Sequence, residues 1–351
     1  MPNEPANEKT TEKKTATQVV IERFLKDVDE VGTMPWQRPY ERYNAFNYFT
    51  KRPYRGFNRL VLPFGEYITR NQINTYNKEH KEDFRFQKGI EWYPIVYFKP
   101  DVREITYDEV KKAFPDAPKF SVGDTRAFIG IAAGQGGMWQ YGWDGKSYIK
   151  QRNILRYYDV ADRKWFKNSK GELLPSRIET GEVVIELQDA KVVFDSYIER
   201  SGVKLWTENY GTPYYDVNAD MVALNPKVRS SEAYYATGFH EAAHSTGHFL
   251  RLNRPELMSS SGKESEKYAI EECIAEITAC LCCAETGIHD FQTSGSMEYS
   301  NNIAYVQSWK KHIYNWGSKF FYIVSQADKA FNYICNDADG FSEAEDSDVN
   351  V

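Results

Sequence analysis

The sequence predicts an α+β protein built in two successive parts, and three observations carry this. Residues 18–198 mix short strand-like and helix-like stretches. From Val203 the rhythm changes to three short strand-like runs and then long helices. The first of those helices contains His240-Glu241-Ala242-Ala243-His244, a His-Glu-x-x-His pattern. A chain of 351 residues exceeds one small core, so two domains follow, at 18–198 and 199–335. Residues 1–17 are polar and aperiodic and read as a disordered tail. Residues 336–351 carry six acids and no base and read as a solvated acidic tail.

Gln18 to Val31 reads as a helix, with Ile21, Phe24, Leu25 and Val28 at helical spacing and Gly32 as its stop. Leu60-Val61-Leu62 has the look of a short buried strand. Residues 69–80 form a helix started by Thr69, and 91–98 a strand. Thr106 and Glu109 make a capping box for a helix over 106–114. Phe128 to Ala132 runs as a strand into Gly134-Gln135-Gly136-Gly137, a tight turn without the spacing of a phosphate-binding loop. Residues 156–160, 182–187 and the run from Ala190 supply further pieces. Val203–Trp206, Pro213–Val217 and Met221–Leu224 are three strands parted by turn residues. Helices follow at 231–247, with Gly247 as breaker, and at 265–286, 298–317 and 319–335.

Composition narrows the function classes. No apolar run reaches the ~18 residues a membrane span needs, and the N-terminus lacks a signal-peptide core. The expectation is a cytoplasmic protein without a membrane partner. Four of five cysteines crowd into 273–283, which is no disulfide framework. Net charge is −6 but uneven. Residues 1–198 carry 32 Lys and Arg against 28 Asp and Glu, a balance of +4; residues 199–351 carry 12 against 22, a balance of −10. A polyanion is met by the first part and repelled by the second.

Two stretches carry chemistry. On a helix His240 and His244 project one turn apart from one face, so two imidazoles can share a metal ion such as Zn2+. Glu241, beside the first ligand, is placed to take a proton from the attacking water. On the next long helix Glu272 and Glu276 lie one turn apart. That pair suits a third ligand, Glu272, and a carboxylate that orients a histidine, Glu276; Glu271 and Glu276 are alternative ligands. His248 continues the histidine face beyond Gly247 and reads as structural. The second stretch is 36–59, with six bases, one acid and eight aromatics. Cations that follow phosphates and rings that stack on unpaired bases suit single-stranded nucleic acid. The candidates are Trp36, Arg38, Arg52, Tyr54, Arg55 and Arg59.

Arg38-Pro39 and Tyr54-Arg55-Gly56-Phe57-Asn58 resemble the N-terminal domain of ArdC-type antirestriction proteins, also found in TraC-type primases. Tyr234 to His248, Arg251-Leu252-Asn253-Arg254 and Tyr268 to Glu276 resemble that family's zincin-like metallopeptidase domain. So do Tyr305 to Trp309 and Gln326 to Ala330, and the resemblance covers roughly 18–335. It implies a first domain that binds single-stranded DNA and a second with a metallopeptidase fold. Such proteins travel on plasmids and phages and protect DNA entering a bacterial host from restriction enzymes, so host restriction or other defence proteins are implied partners. The implied zinc ligands are His240, His244 and Glu272, with Glu241 as the catalytic carboxylate. Two segments depart from the pattern: 86–91 is less basic than usual, and 99–150 is longer than the family core requires. Two further readings stand beside this one. One is a zinc metalloprotease with a protein-binding first domain; the other is a DNA-binding protein whose zinc is structural.

Overall fold

The computed structural model describes residues 14–37, 45–135, 137–177, 190–228, 230–258, 265–288 and 302–335. Helix α1 (Ala16–Val31) opens with a capping box between Thr15 and Gln18 and closes on Gly32 at φ +76°. It begins within the stretch expected to be a tail, and residues 1–13 lie outside the described residues. The acidic tail at 336–351 and the piece at 182–187 also lie outside them. Strand β1 (Ala45–Asn47) leads to α2 (Gly56–Val61). The strand expected at Leu60–Leu62 is therefore mostly helix. Phe57 and Leu60 lie three apart, and a helix buries both on one face where an extended chain would point them apart.

Next come β2 (Gly65–Ile68), α3 (Arg70–His80), β3 (Arg85–Phe86) and β4 (Tyr93–Ile105). Helix α4 (Tyr107–Ala113) has the expected capping box of Thr106 and Glu109, a feature worth about 1 kcal/mol. Strands β5 (Ala127–Gly134) and β6 (Gly137–Trp143) form a hairpin across the glycine turn, followed by β7 (Tyr148–Asp162) and β8 (Phe166–Lys167). Strands β1, β2 and the end of β7 (Ala161 and Asp162) pair in that order, and β5, β6 and the start of β7 (Tyr148 to Gln151) pair in that order. Strands β3 and β8 pair in a small ribbon.

Helix α5 (Ala190–Ser201) precedes β9 (Lys204–Trp206), β10 (Tyr214–Asp216) and β11 (Met221–Ala223). These form a three-stranded sheet in which β11 is antiparallel to β10 and parallel to β9. Then follow α6 (Ser231–Thr246), the short α7 (Pro255–Met258), α8 (Glu266–Glu285), α9 (Asn302–Trp316) and α10 (Lys319–Cys335). No described helix is long and apolar enough to cross a membrane.

Contacts divide the described residues into two compact units. Val96–Tyr158 form one, built on a core of Val110, Ala117, Trp139, Tyr141, Trp143 and Tyr148. The other takes in the residues up to Ile95 and those from Asp159 onward. Within it α6 and α8 pack side by side, and α10 covers both. The hydroxyl of Thr278 on α8 donates to Ile274 O at 2.7 Å and Ala327 O at 3.2 Å, which ties α8 to α10. Phe24 of α1 and Phe57 of α2 meet Phe320 of α10, with ring centroids 5.3 and 6.2 Å apart.

Candidate metal centre

Helix α6 is capped by Ser230, whose side chain accepts from Ala233 N. It is buried almost all round because the strands of the small sheet, α5, α8 and α10 enclose it. His240 and His244 stand on its face toward α8, with ring centroids 4.9 Å apart and planes at 82°. Glu272 of α8 meets both. One carboxylate oxygen lies 3.6 Å from His240 Nε2 and the other 3.6 Å from His244 Nε2. His240, His244 and Glu272 each offer one donor atom, and the three lie within 4.8 Å of one another.

These residues fit a metal ion. Two donors at ~2.1 Å from one tetrahedral zinc sit about 3.4 Å apart, close to the separations here. Two imidazoles and a carboxylate are a donor set for zinc, with manganese within range of the same chemistry. The electrostatics agree. Burial works against the Glu272 anion, but the hydrogen bond and charge of His240 and the charge of His244 hold its carboxyl well below the ordinary value. Burial likewise opposes charge on His240, and Glu272, Glu241 and Glu276 outweigh it and raise its pKa.

The surrounding carboxylates are arranged differently from the sequence-based assignment. Glu276, expected to orient a ligand histidine, has its nearer oxygen 3.9 Å from His240 Nδ1, beyond hydrogen-bond reach. The carboxylate that contacts a ligand histidine is Glu271, 3.2 Å from His244 Nδ1. The crossing of α8 over α6 brings Glu271 within hydrogen-bond reach of His244 and leaves Glu276 facing His240 at a longer distance, and spacing along α8 does not reveal that crossing. Nothing in the sequence marks Tyr268, although it stands one turn before Glu272. Burial, first, and then Glu272 and Glu241 push the pKa of its phenol well up. Glu241 is 8 % exposed beside His240 and Tyr268. His248 is buried 3.9 Å from Asp220. Cys280, Cys282 and Cys283 are buried, and burial pushes their thiols up.

The stretch at 36–59 separates into two kinds of side chain. Trp36 is fully buried against Trp309 and Phe320 and presents no face for a base. Arg59 is also enclosed, 3.6 Å from Asp328, with its guanidinium 4.5 Å from the Phe331 ring centroid. Both assignments as nucleic-acid contacts are corrected by this packing. Arg52 and Arg55 are exposed, and Tyr54 is half-buried beside Tyr67. Arg38 lies outside the described residues.

Residues 14–123 match the family model of the N-terminal domain of anti-restriction factor ArdC, and residues 193–322 match that of a zincin-like metallopeptidase. The chain joins an ArdC-type N-terminal domain to a zincin-like metallopeptidase domain. Two DNA primases TraC from Escherichia coli are similar to this chain, at 25 % and 26 % identity over 92 % of its length. It spans 20 % and 27 % of their lengths. Its fold is that of the crystal structures of antirestriction ArdC protein from plasmid R388. The metal-free form matches with a TM-score of 0.58 and 23 % identity, covering 93 % of this chain and 98 % of that one. The Mn(II)-bound form matches with a TM-score of 0.54 and 21 % identity, covering 93 % and 100 %.

Proposed function

We propose that this ArdC-type chain is a single-stranded-DNA-binding antirestriction protein with a zinc-dependent peptidase centre, acting in the cytoplasm of a bacterial host. The convergence of His240, His244 and Glu272 on one point supports the metal half of this reading most directly. A bound zinc ion would polarise a carbonyl and acidify water. Glu241 receives the proton, and its burial beside His240 keeps bulk water from competing for it. The Tyr268 phenol, which burial and the charges of Glu272 and Glu241 keep protonated, is a hydrogen-bond donor for an oxyanion. DNA is met by the more basic residues 18–198, through Arg52, Arg55 and the ring of Tyr54, while 199–335 carry the metal chemistry. The likeness to an antirestriction protein and to primases supports this partner, with host restriction or other defence proteins as the targets.

The experiment is transfer of plasmid DNA into a restricting bacterial host that makes this chain. We expect protection by the wild type, loss of protection in the double variant Arg52→Glu with Arg55→Glu, and loss in Glu241→Gln if hydrolysis is required. Protection by none of the proteins rules out the antirestriction reading. Full protection by Glu241→Gln removes hydrolysis from it and leaves DNA binding.

A further inference from the structure

Beyond α6 the chain turns back on the helix it has just left. Leu252 N donates to Thr246 O and Arg254 N to Gly247 O, each at 2.9 Å. This turn delivers Arg254, 1 % exposed, to the end of α6. Its guanidinium donates through Nη1 to Thr246 Oγ1 at 2.7 Å and through Nη2 to Ala243 O at 2.8 Å. It also grips both oxygens of Glu271, Nε to Oε2 at 2.9 Å and Nη2 to Oε1 at 2.5 Å. Gly247 makes the room. A Cβ there would lie 2.8 Å from Arg254 Nη2 and 2.9 Å from Cζ. Gly247 has φ −75°, so space rather than a left-handed backbone asks for glycine here.

A buried guanidinium is costly to desolvate, and stability alone is a poor reason to place one. Its neighbours suggest a better one. Ala243 precedes the ligand His244 on α6, and Glu271 precedes the ligand Glu272 on α8. The geometry points to Arg254 and Glu271, seated over Gly247, as a positioning clamp that presets His244 for metal. This rests on the metal-centre reading above. With Glu271 accepting from Nδ1–H, the His244 ring keeps Nε2 bare and turned toward Glu272. Arg254 keeps the Glu271 carboxylate aimed and holds α6 against α8, so the two helices present their ligands before an ion arrives. His240 has no such lock: among the described residues its buried Nδ1 has no hydrogen-bond partner.

The test measures metal affinity by competition with a chromophoric chelator, using Zn2+ and Mn2+ and the full chain. Glu271→Gln should weaken binding by about 10- to 100-fold, the range typical of lost outer-sphere partners. Gly247→Ala changes no charge and no ligand and suits the helical backbone, yet it displaces the guanidinium, and we expect binding weakened by about tenfold. The melting midpoint of each metal-free variant reports on the fold. The visible spectrum of the cobalt(II)-loaded proteins reports on ligand geometry, which a purely structural role would leave unchanged. Weaker binding with an altered cobalt spectrum supports the clamp. Wild-type affinity in both variants, or a lowered midpoint with unchanged affinity, overturns it and leaves the metal centre standing. Failure of the wild type to bind either ion overturns both.

Discussion

Arg59 and Asp220 show how much a side chain's role depends on partners remote in sequence. Arg59 sits in a basic, aromatic stretch, yet α10 supplies it with Asp328 and the Phe331 ring. Arg59→Ala leaves Asp328 enclosed and unpaired, so we expect a loss of about 3 kcal/mol in urea unfolding and no change in single-stranded DNA affinity. Asp220 accepts from Arg251 Nη1 at 3.1 Å and from the Tyr215 hydroxyl at 2.6 Å. Burial raises its pKa, but these donors outweigh burial and set it below the ordinary 3.8. A depressed carboxyl contributes stability above 3.8 and loses it as pH falls through the folded value. Asp220→Asn should flatten the acid limb of a melting-midpoint profile below about pH 4; an unchanged limb would place the sensitivity elsewhere. Sequence revealed the juxtaposition of His240 and His244, because helical spacing is a local property. It did not reveal the burial of Trp36, which depends on Trp309 and Phe320.

At the scale of elements, capping and periodicity were legible and crossings were not. Thr106 and Glu109 announce α4, and the long apolar period announces α10. The choice between Glu271 and Glu276 turns on how α8 crosses α6, which no single helix encodes. The β5–β6 hairpin provides a further test. Gly130 faces Phe114, and a Cβ there would lie 2.4 Å from that ring. Gly130→Ala should therefore destabilise the hairpin by about 1–3 kcal/mol. Hydrogen exchange would show it as faster exchange of amides in 127–143, with those of α6 and α8 unaffected.

Residues from both family-model regions share one compact unit. Helices α1 and α2 belong with α9 and α10 in one compact unit, through Phe24, Trp36 and Phe57 against Trp309, Phe320 and Phe321. A fragment of residues 1–198 would expose these rings to water. We expect hydrogen exchange to show the amides of α1 and α2 unprotected in the fragment; protection there equal to that in the full chain would prove its independence.

That shared aromatic core also limits how such a gene can be rebuilt by recombination. A crossover between the two family regions that replaced everything downstream would strip Phe24 and Phe57 of their cover, whatever motifs it preserved. A viable chimera of this chain must inherit its first two helices and its last two from the same parent, even when the metal-binding helices between them come from another.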